Sequence, residues 1–160
     1  MLYVLIVVVI VFAETKIKNY MEEKKQPEDQ KELFNGKIII KKQYNRGMFL
    51  NFLEDKKEMV KTLTGTILGL LLLLFAVVLP KKGNKLFKLG LSLCLGGAIS
   101  NTTDRFKRGY VVDYFSFNFG KLKNIVFNLS DIFIMLGTCF ILLFSVFGSI
   151  GKGCSDKAAK

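Results

Sequence analysis

The sequence predicts an all-α membrane protein with four transmembrane helices and a small β-sheet element outside the membrane. The composition is 51% hydrophobic with a mean hydropathy of +0.35, which is high for a soluble chain of 160 residues. Four apolar stretches alternate with polar, strongly basic connections. An Asn-Gly pair between two short apolar runs predicts a β-hairpin in the first connection.

The predicted spans cover about residues 1–20, 62–79, 86–100 and 125–150. The first apolar run, Leu2 to Ala13, is short, so we expect its helix to continue through Glu14 to Tyr20 and reach the length of a span. A cleaved signal peptide is the alternative. No Lys or Arg precedes the run and no small-residue cleavage pattern follows it, so a retained span is favoured.

Glycines predict where the helices pack. In the second span Gly65 and Gly69 are four residues apart and share one face, where another helix could approach closely. Gly96 and Gly97 close the third span and permit the same kind of contact. We therefore expect a compact bundle, and the whole chain is predicted to be one integral membrane domain.

The two connections at about 21–61 and 101–124 lie on one side of the membrane if there are four spans. Within the first, Asn35 and Gly36 predict the hairpin turn, residues 44–53 are expected to form a loop, and the charged run 22–32 has no assigned chemistry. The second is expected to be a polar connection that carries Asp113 on a loop.

Composition excludes several kinds of site. There is no His, which removes Ser/His/Asp and Cys/His catalysis. Cys94, Cys139 and Cys154 show no paired spacing for a disulfide or a metal, so neither metal nor cofactor is predicted. The net charge of +11 comes from basic residues outside the apolar cores, where they can meet lipid phosphate. No basic stripe interleaved with aromatic residues predicts nucleic-acid binding.

Polar side chains cluster around the ends of the last two spans. They are Asn101, Asp104, Arg105, Asp113, Asn128 and Asp131. Charge at a membrane boundary is unfavourable, which makes a functional role the default interpretation. Asp131 falls within an apolar helix, and Asn128, three residues earlier on the same face, is expected to share its polar pocket.

Asp113 and Asp131 are the predicted catalytic pair. Two carboxyl groups a few ångströms apart cannot both ionise, so one keeps its proton while the other accepts, which suits the activation of water against an amide. Asp104 and Arg105 are adjacent, and we expect them to form a structural ion pair or to hold a loop.

The stretch GGAISNTTDRFKRGYVVDYF, followed by FNLSD, resembles the signature of the lipoprotein signal peptidases (signal peptidase II), which are bacterial membrane aspartyl proteases. The likeness extends to Asn45 with Gly47, and to Glu14 with Lys18 after the first span. It implies four spans, an extracytoplasmic β-sheet element, and both termini in the cytoplasm. Charge alone leaves the orientation open, because the count of basic residues and their density favour opposite sides.

The resemblance also implies an activity and a site. The family cleaves prolipoprotein signal peptides before a diacylglyceryl-modified cysteine, without metal or cofactor, near the outer leaflet of the cytoplasmic membrane. It implies that Asp113 and Asp131 form the catalytic dyad. The residues expected to support the dyad or contact substrate are Asn45, Gly47, Asn101, Asp104, Arg105 and Asn128. The expected partners are lipid-modified prolipoproteins and membrane lipid, and the expected state is a monomer.

The chain departs from the family pattern at three positions. Glu14 stands where Asp is usual, Ser100 where Gly is usual, and Ser130 where Ala is usual. None removes a catalytic group, although Ser130 is expected to hydrogen-bond a carboxylate and change its pKa.

Two other function classes remain as alternatives. A small proton or ion carrier could use Asp131 as a relay, and it predicts carboxylate-dependent flux. A non-catalytic scaffold could bind anionic lipid through its basic loops, and its binding would survive loss of both aspartates. The carrier gives no reason for the spacing of Asn101, Asp104, Arg105 and Asp113.

Overall fold

The computed structural model describes residues 1–26, 29–47 and 53–158, with side chains described as far as residue 147. The helices are α1 (Leu2–Lys24), α2 (Lys57–Val78), α3 (Lys85–Arg108) and α4 (Leu129–Ala158). The strands are β1 (Lys31–Leu33), β2 (Ile38–Asn45) and β3 (Val111–Phe117), and a short 3-10 helix covers Gly120–Asn124. The prediction of a mostly helical protein with a small sheet is confirmed.

Helix α3 is the centre of the bundle and packs against α1, α2 and α4. The approach of α4 is close because glycines lie at the contact. A Cβ added at Gly97 would lie 2.5 Å from the carbonyl oxygen of Ser130, and one at Gly90 would lie 2.6 Å from that of Gly137. The first turn of α4 is therefore held directly against α3.

Helix α2 leaves most of its surface uncovered, and only Val60 and Val78 are buried along it. Gly65 contacts the ring of Phe106 on α3, at 3.4 Å from an added Cβ, but an added Cβ at Gly69 would have no described atom within 4 Å. The expected close helix contact at Gly69 is therefore wrong, because no described part of a neighbouring helix reaches this position.

Two of the helices in the described part of the chain are long and apolar enough to cross a membrane. They are α2, with mean hydropathy 2.1, and α4 over Leu129–Phe147, with mean hydropathy 2.2. The other two carry charged residues toward one end, such as Glu14 and Lys18 on α1 and Asp104 on α3. Hydropathy alone therefore supports two of the four predicted spans.

The predicted hairpin is confirmed. Strands β1 and β2 pair in antiparallel fashion, with Leu33 opposite Ile38, and residues 34–37 form the turn. Asn35 and Gly36 have φ of 56° and 78°, a left-handed conformation that these two residue types adopt at low cost. Strand β2 then pairs with β3, which gives the order β1-β2-β3.

The expected polar connection over 101–124 is wrong in two respects. Helix α3 continues to Arg108, so Asn101, Asp104 and Arg105 lie on its last turns, and Asp113 lies on strand β3 instead of a loop. The residues of β3 are mainly β-branched or aromatic, which favours a strand. Strand β3 also has a partner on its other edge at one point, where Phe127 bridges Phe115.

Some sequence predictions concern residues outside the described part of the chain. Residues 48–52 of the expected 44–53 loop belong to this group, as do 27 and 28 of the charged run. The side chain of Cys154 is also outside it.

Candidate active site

Asn128 joins the two predicted catalytic aspartates. Its side-chain amide donates a hydrogen bond to Asp113 Oδ1 at 2.6 Å, and its backbone N–H donates to Asp131 Oδ2 at 3.1 Å. Asn128 is fully buried and Asp113 is 2% exposed, while Asp131 is half-buried. The structure thus places the carboxyl groups of β3 and α4 around one shared residue.

The contact between Asn128 and Asp131 is the N-terminal cap of α4. Asn128 Oδ1 accepts from the backbone N–H of Asp131 at 3.0 Å while the Asp131 carboxylate accepts from Asn128, the reciprocal arrangement of a capping box. The helix begins at Leu129, later than the expected residue 125. The predicted shared helical face is therefore wrong: Asn128 precedes the helix, and the two side chains meet through the cap.

A shift in strand register brings Asn45 to Asp113. Ile40 lies opposite Phe115 but Gln43 lies opposite Asp113, so β2 carries one extra residue between these pairs. Because side chains alternate along a strand, the extra residue places Asn45 on the face of Asp113. Asn45 Nδ2 then donates to Asp113 Oδ2 at 3.1 Å, so both oxygens of this carboxyl group accept an amide hydrogen bond.

The environment of Asp113 favours its protonated form. Burial, together with the nearby charge of Asp131, raises the pKa of Asp113 from 3.8 to about 7, against the opposing effect of the amide donors and Lys18. A carboxyl group with a pKa near neutrality can act as an acid or a base under physiological conditions. The second carboxyl group, on Asp131, accepts from Asn101 Nδ2 at 2.9 Å.

Asp104 and Arg105 do not pair with each other in the described structure. Asp104 faces Lys18 at 3.1 Å and Arg108 at 3.5 Å, whereas Arg105 Nη2 donates to the carbonyl oxygen of Gly47 at 2.7 Å. Successive residues on a helix point about 100° apart, which explains the separation. The expected ion pair between Asp104 and Arg105 is therefore not formed. The contact of Arg105 with Gly47 agrees with the other expected role, the holding of a loop.

The buried charges of α1 are a further part of the site. Glu14 is fully buried and Lys18 is 1% exposed, and their side chains approach within 3.3 Å. The hydroxyl groups of Tyr114 and Ser130 both donate to Glu14, at 2.6 and 2.9 Å. The carboxylate that is predicted to accept a hydrogen bond from Ser130 is therefore that of Glu14.

Sequence reasoning did not assign Tyr114 to the site. Its hydroxyl also accepts from the backbone N–H of Leu129 at 3.0 Å. Burial and the neighbouring Glu14 raise the pKa of Tyr114 above its usual range, which keeps the hydroxyl protonated as a donor. Adjacency to Asp113 in YVVDYF is no signal for this role, since neighbouring strand residues face opposite sides.

The arrangement brings together carboxyl groups, amides and hydroxyls without an obvious metal cage. Among residues 1–26, 29–47 and 53–147, no group of three His, Cys, Asp or Glu side chains is placed to hold a metal ion. The site can hold a proton at Asp113, accept one at a second carboxylate and keep both groups oriented.

Residues 6–147 match the family model described as signal peptidase (SPase) II. The chain belongs to the signal peptidase II family. The match covers most of the chain, including α1 to α3, the sheet and both aspartates. The resemblance identified from the motif is confirmed.

Individual relatives agree with the family. The chain is 34% identical over 103 residues to a lipoprotein signal peptidase of Clostridium tetani, an alignment that covers 64% of this chain and 65% of the relative. It is 28% identical over 149 residues to one of Clostridioides difficile, covering 92% and 96%. A bacterial membrane enzyme structure determined by the in meso method has the same fold, with a TM-score of 0.82, 23% identity and 94% and 90% coverage.

These comparisons decide between the function classes. A signal peptidase II is a protease of the membrane, so the predicted enzyme class and the bacterial membrane location are confirmed. The proton or ion carrier has no support from the family or from the relatives.

Proposed function

We propose that this signal peptidase II removes signal peptides from prolipoproteins with Asp113 and Asp131 as its catalytic dyad, cutting before a diacylglyceryl-modified cysteine. The observation that carries the proposal is the bridge through Asn128, which donates to one oxygen of each carboxyl group, at 2.6 and 3.1 Å. Because the backbone and the side chain of one residue supply both donors, Asn128 fixes the two carboxyl groups relative to each other. Hydrolysis by an aspartate pair requires two carboxyl groups held close enough to share one proton.

In the proposed reaction one aspartate is protonated and the other is ionised. The ionised carboxylate takes a proton from water as the water oxygen attacks the scissile carbonyl carbon, and the protonated carboxyl group donates to the carbonyl oxygen. The tetrahedral intermediate then collapses: the C–N bond breaks, the leaving amine receives the proton that the dyad took from water, and one hydroxyl of the intermediate returns its proton to the dyad. The raised pKa of Asp113, about 7, is compatible with either role for that residue.

The supporting residues have separate proposed roles. Asn128, Asn45 and Asn101 donate to the dyad and orient it. Asn45 Oδ1 is buried without a partner in the described structure, and we assign it to accept a backbone N–H of the substrate.

Arg105 holds Gly47 through its carbonyl oxygen and so anchors the chain next to Asn45. Asp104 compensates the charges of Lys18 and Arg108.

The proposed topology has four spans, with the whole chain as one domain, both termini in the cytoplasm and the dyad near the outer leaflet. It is supported by α1, whose apolar half exposes Leu5, Val8, Val9 and Phe12. Helix α3 also supports it. The other helices cover α3, and a span that does not face lipid needs no apolar outer surface. The substrate would enter laterally with its diacylglyceryl group among the lipids. Since one chain supplies both aspartates, a monomer is sufficient.

The proposal is tested by a gel-shift cleavage assay on purified protein with diacylglyceryl-modified prolipoprotein. Asp113→Asn and Asp131→Asn should each lower turnover by at least about 10³-fold, because either change removes a proton donor or acceptor of the dyad. Asp29→Asn, at an exposed carboxylate beside β1, is the matched control and should cleave normally.

Lipid-free precursor should remain uncut by every variant. Near-normal cleavage by either dyad variant, with unchanged thermal stability in detergent, would rule out the dyad. Equal cleavage of the lipid-free precursor would rule out the lipid requirement while leaving the dyad intact.

A further inference from the structure

The ion pair of α1 is buried beside the dyad and the proposed reaction does not use it. Glu14 and Lys18, one helical turn apart, are 0% and 1% exposed. A buried charge is unfavourable unless it is paired and hydrogen-bonded. Each partner has further contacts that lead to α3 and α4, which distinguishes the pair from an isolated structural salt bridge.

Lys18 determines which way the amide of Asn101 points. Lys18 Nζ donates to Asn101 Oδ1 at 2.8 Å, and an ammonium group has donors only. The amide oxygen of Asn101 is therefore held toward Lys18, and its NH₂ group is held toward Asp131, to which it donates at 2.9 Å. Ser100 Oγ, at 3.1 Å, gives Lys18 another acceptor.

Glu14 contacts the start of α4. Ser130, the second residue of that helix, donates to Glu14 Oε2 at 2.9 Å. Tyr114 joins Glu14 Oε1 to the backbone N–H of Leu129, the first residue. That N–H has no acceptor within the helix. Glu14 thus holds the turn that carries Asp131.

We propose that Lys18 and Glu14 are positioning residues for the dyad: Lys18 fixes Asn101 as a donor to Asp131, and Glu14 fixes the first turn of α4. The inference rests on the proposed function, because it concerns how the dyad is held. Ser100 and Ser130, where the chain departs from the family pattern, each add one hydrogen bond to this pair. The departures Glu14, Ser100 and Ser130 thus belong to one connected network.

Lys18 also acts on the charge of the site. The charged groups that face the dyad or the pair are Glu14 and Lys18 from α1, Asp104, Arg105 and Arg108 from α3, Asp113 from β3 and Asp131 from α4, with Glu22 beside Arg108. Lys18 opposes the increase in the pKa of Asp113. Removing the cation while keeping the chain length should move the pH profile of cleavage to higher pH.

The test uses Lys18→Met in the full-length protein, with diacylglyceryl-modified prolipoprotein as substrate. We expect kcat to fall by about 10²-fold with KM changed less than about threefold, because an orienting contact is lost and no substrate contact is removed. The fall in kcat at high pH should move to higher pH, because Lys18 lowers the pKa of Asp113. Lys16→Met, on the exposed face of α1, is the matched control and should match wild type.

A double-mutant cycle tests whether Lys18 acts through Asn101. The double variant Lys18→Met with Asn101→Ala should be no slower than Asn101→Ala alone, because Lys18 then has no amide left to orient. If the two substitutions lower kcat independently, so that their effects multiply in the double variant, the positioning role is overturned. It is also overturned if a folded Lys18→Met has an unchanged kcat.

Asp131→Asn is measured beside these variants. If it is inactive while Lys18→Met is normal, only the positioning inference fails; if it cleaves normally, the proposed dyad fails. Should Lys18→Met not fold in detergent, Lys18→Gln replaces it, since it keeps a donor without the charge. Failure of both to fold would assign the pair to stability alone and overturn the inference.

Discussion

Asp113 is the residue whose ionisation should limit the pH range of the enzyme. It is buried next to Asp131, and its pKa is raised to about 7, so its proton is lost as the pH rises through neutrality. Cleavage by the dyad needs one proton between the two carboxyl groups. We therefore expect kcat to fall by about tenfold for each pH unit well above this value.

The measurement is kcat against pH from 5 to 9.5 in one detergent, with thermal stability followed at each pH. The fall in kcat at high pH reports the titration of the two carboxyl groups together, since coupled groups titrate as a unit. A kcat that stays constant up to pH 9 would contradict the prediction.

The proximity of Asp113 and Asp131 could be predicted from the sequence motif, whereas the contacts that hold them could be predicted only in part. Asn128 and Asp131 are three residues apart, so any local structure brings them close. Tyr114 could not be assigned a role, because its acceptor Glu14 lies 100 residues earlier in the chain. Asn45 reaches Asp113 only because β2 carries an extra residue, and no pattern in the strand indicates that shift.

The contact between α3 and α4 depends on the absence of a side chain at Gly97. An added Cβ would lie 2.5 Å from Ser130 O and 2.8 Å from Ile134 Cγ1, distances that require the helices to move apart. Because Ser130 precedes Asp131 on the first turn of α4, this movement would displace the dyad. We expect Gly97→Ala to lower the free energy of unfolding by about 1–3 kcal/mol and to reduce kcat at least tenfold.

Gly69→Ala is the matched control. An added Cβ at this position of α2 has nothing within 4 Å. Replacing Gly by Ala within a helix should then raise stability slightly, by about 0.5–1 kcal/mol. Melting temperature and cleavage rate in detergent measure both variants, and a Gly97→Ala protein as stable and active as wild type would show that the contact can relax.

Local signals explain which elements were predicted correctly. The β1-β2 hairpin depends on a turn of four consecutive residues, 34–37, which a sequence pattern can show. Strand β3 depends on partners in β2 and at Phe127, and VVDYFSF carries no local turn signal that would predict this pairing. The late start of α4 follows from Asn128, whose side chain caps the helix instead of continuing it.

The packing of the bundle explains why hydropathy identifies two of the four proposed spans. Helix α3 is surrounded by the other three helices, so small and polar residues such as Ser92 and Ser100 are buried in protein and do not face lipid. Helix α1 turns Glu14 and Lys18 inward, where each finds a partner. A polar residue in a span is tolerated when it faces the interior of the bundle, and this lowers the hydropathy of both helices.

The proposed orientation can be measured with single cysteines in a chain whose Cys94, Cys139 and Cys154 are replaced by Ala. If α1 and α3 each cross the membrane, Gln30→Cys and Lys121→Cys face outward while Leu2→Cys and Lys82→Cys face the cytoplasm. All four positions are exposed. A membrane-impermeant maleimide should label the first pair in intact cells and the second only after permeabilisation.

Retained cleavage by each variant is the control for folding. Because α1 and α3 are the two helices whose hydropathy does not establish a span, Leu2→Cys with Gln30→Cys tests α1, and Lys82→Cys with Lys121→Cys tests α3. Labelling from outside at both positions that flank one helix would show that this helix does not cross. Labelling of only Leu2→Cys and Lys82→Cys in intact cells would reverse the proposed orientation and place the proposed dyad at the inner leaflet.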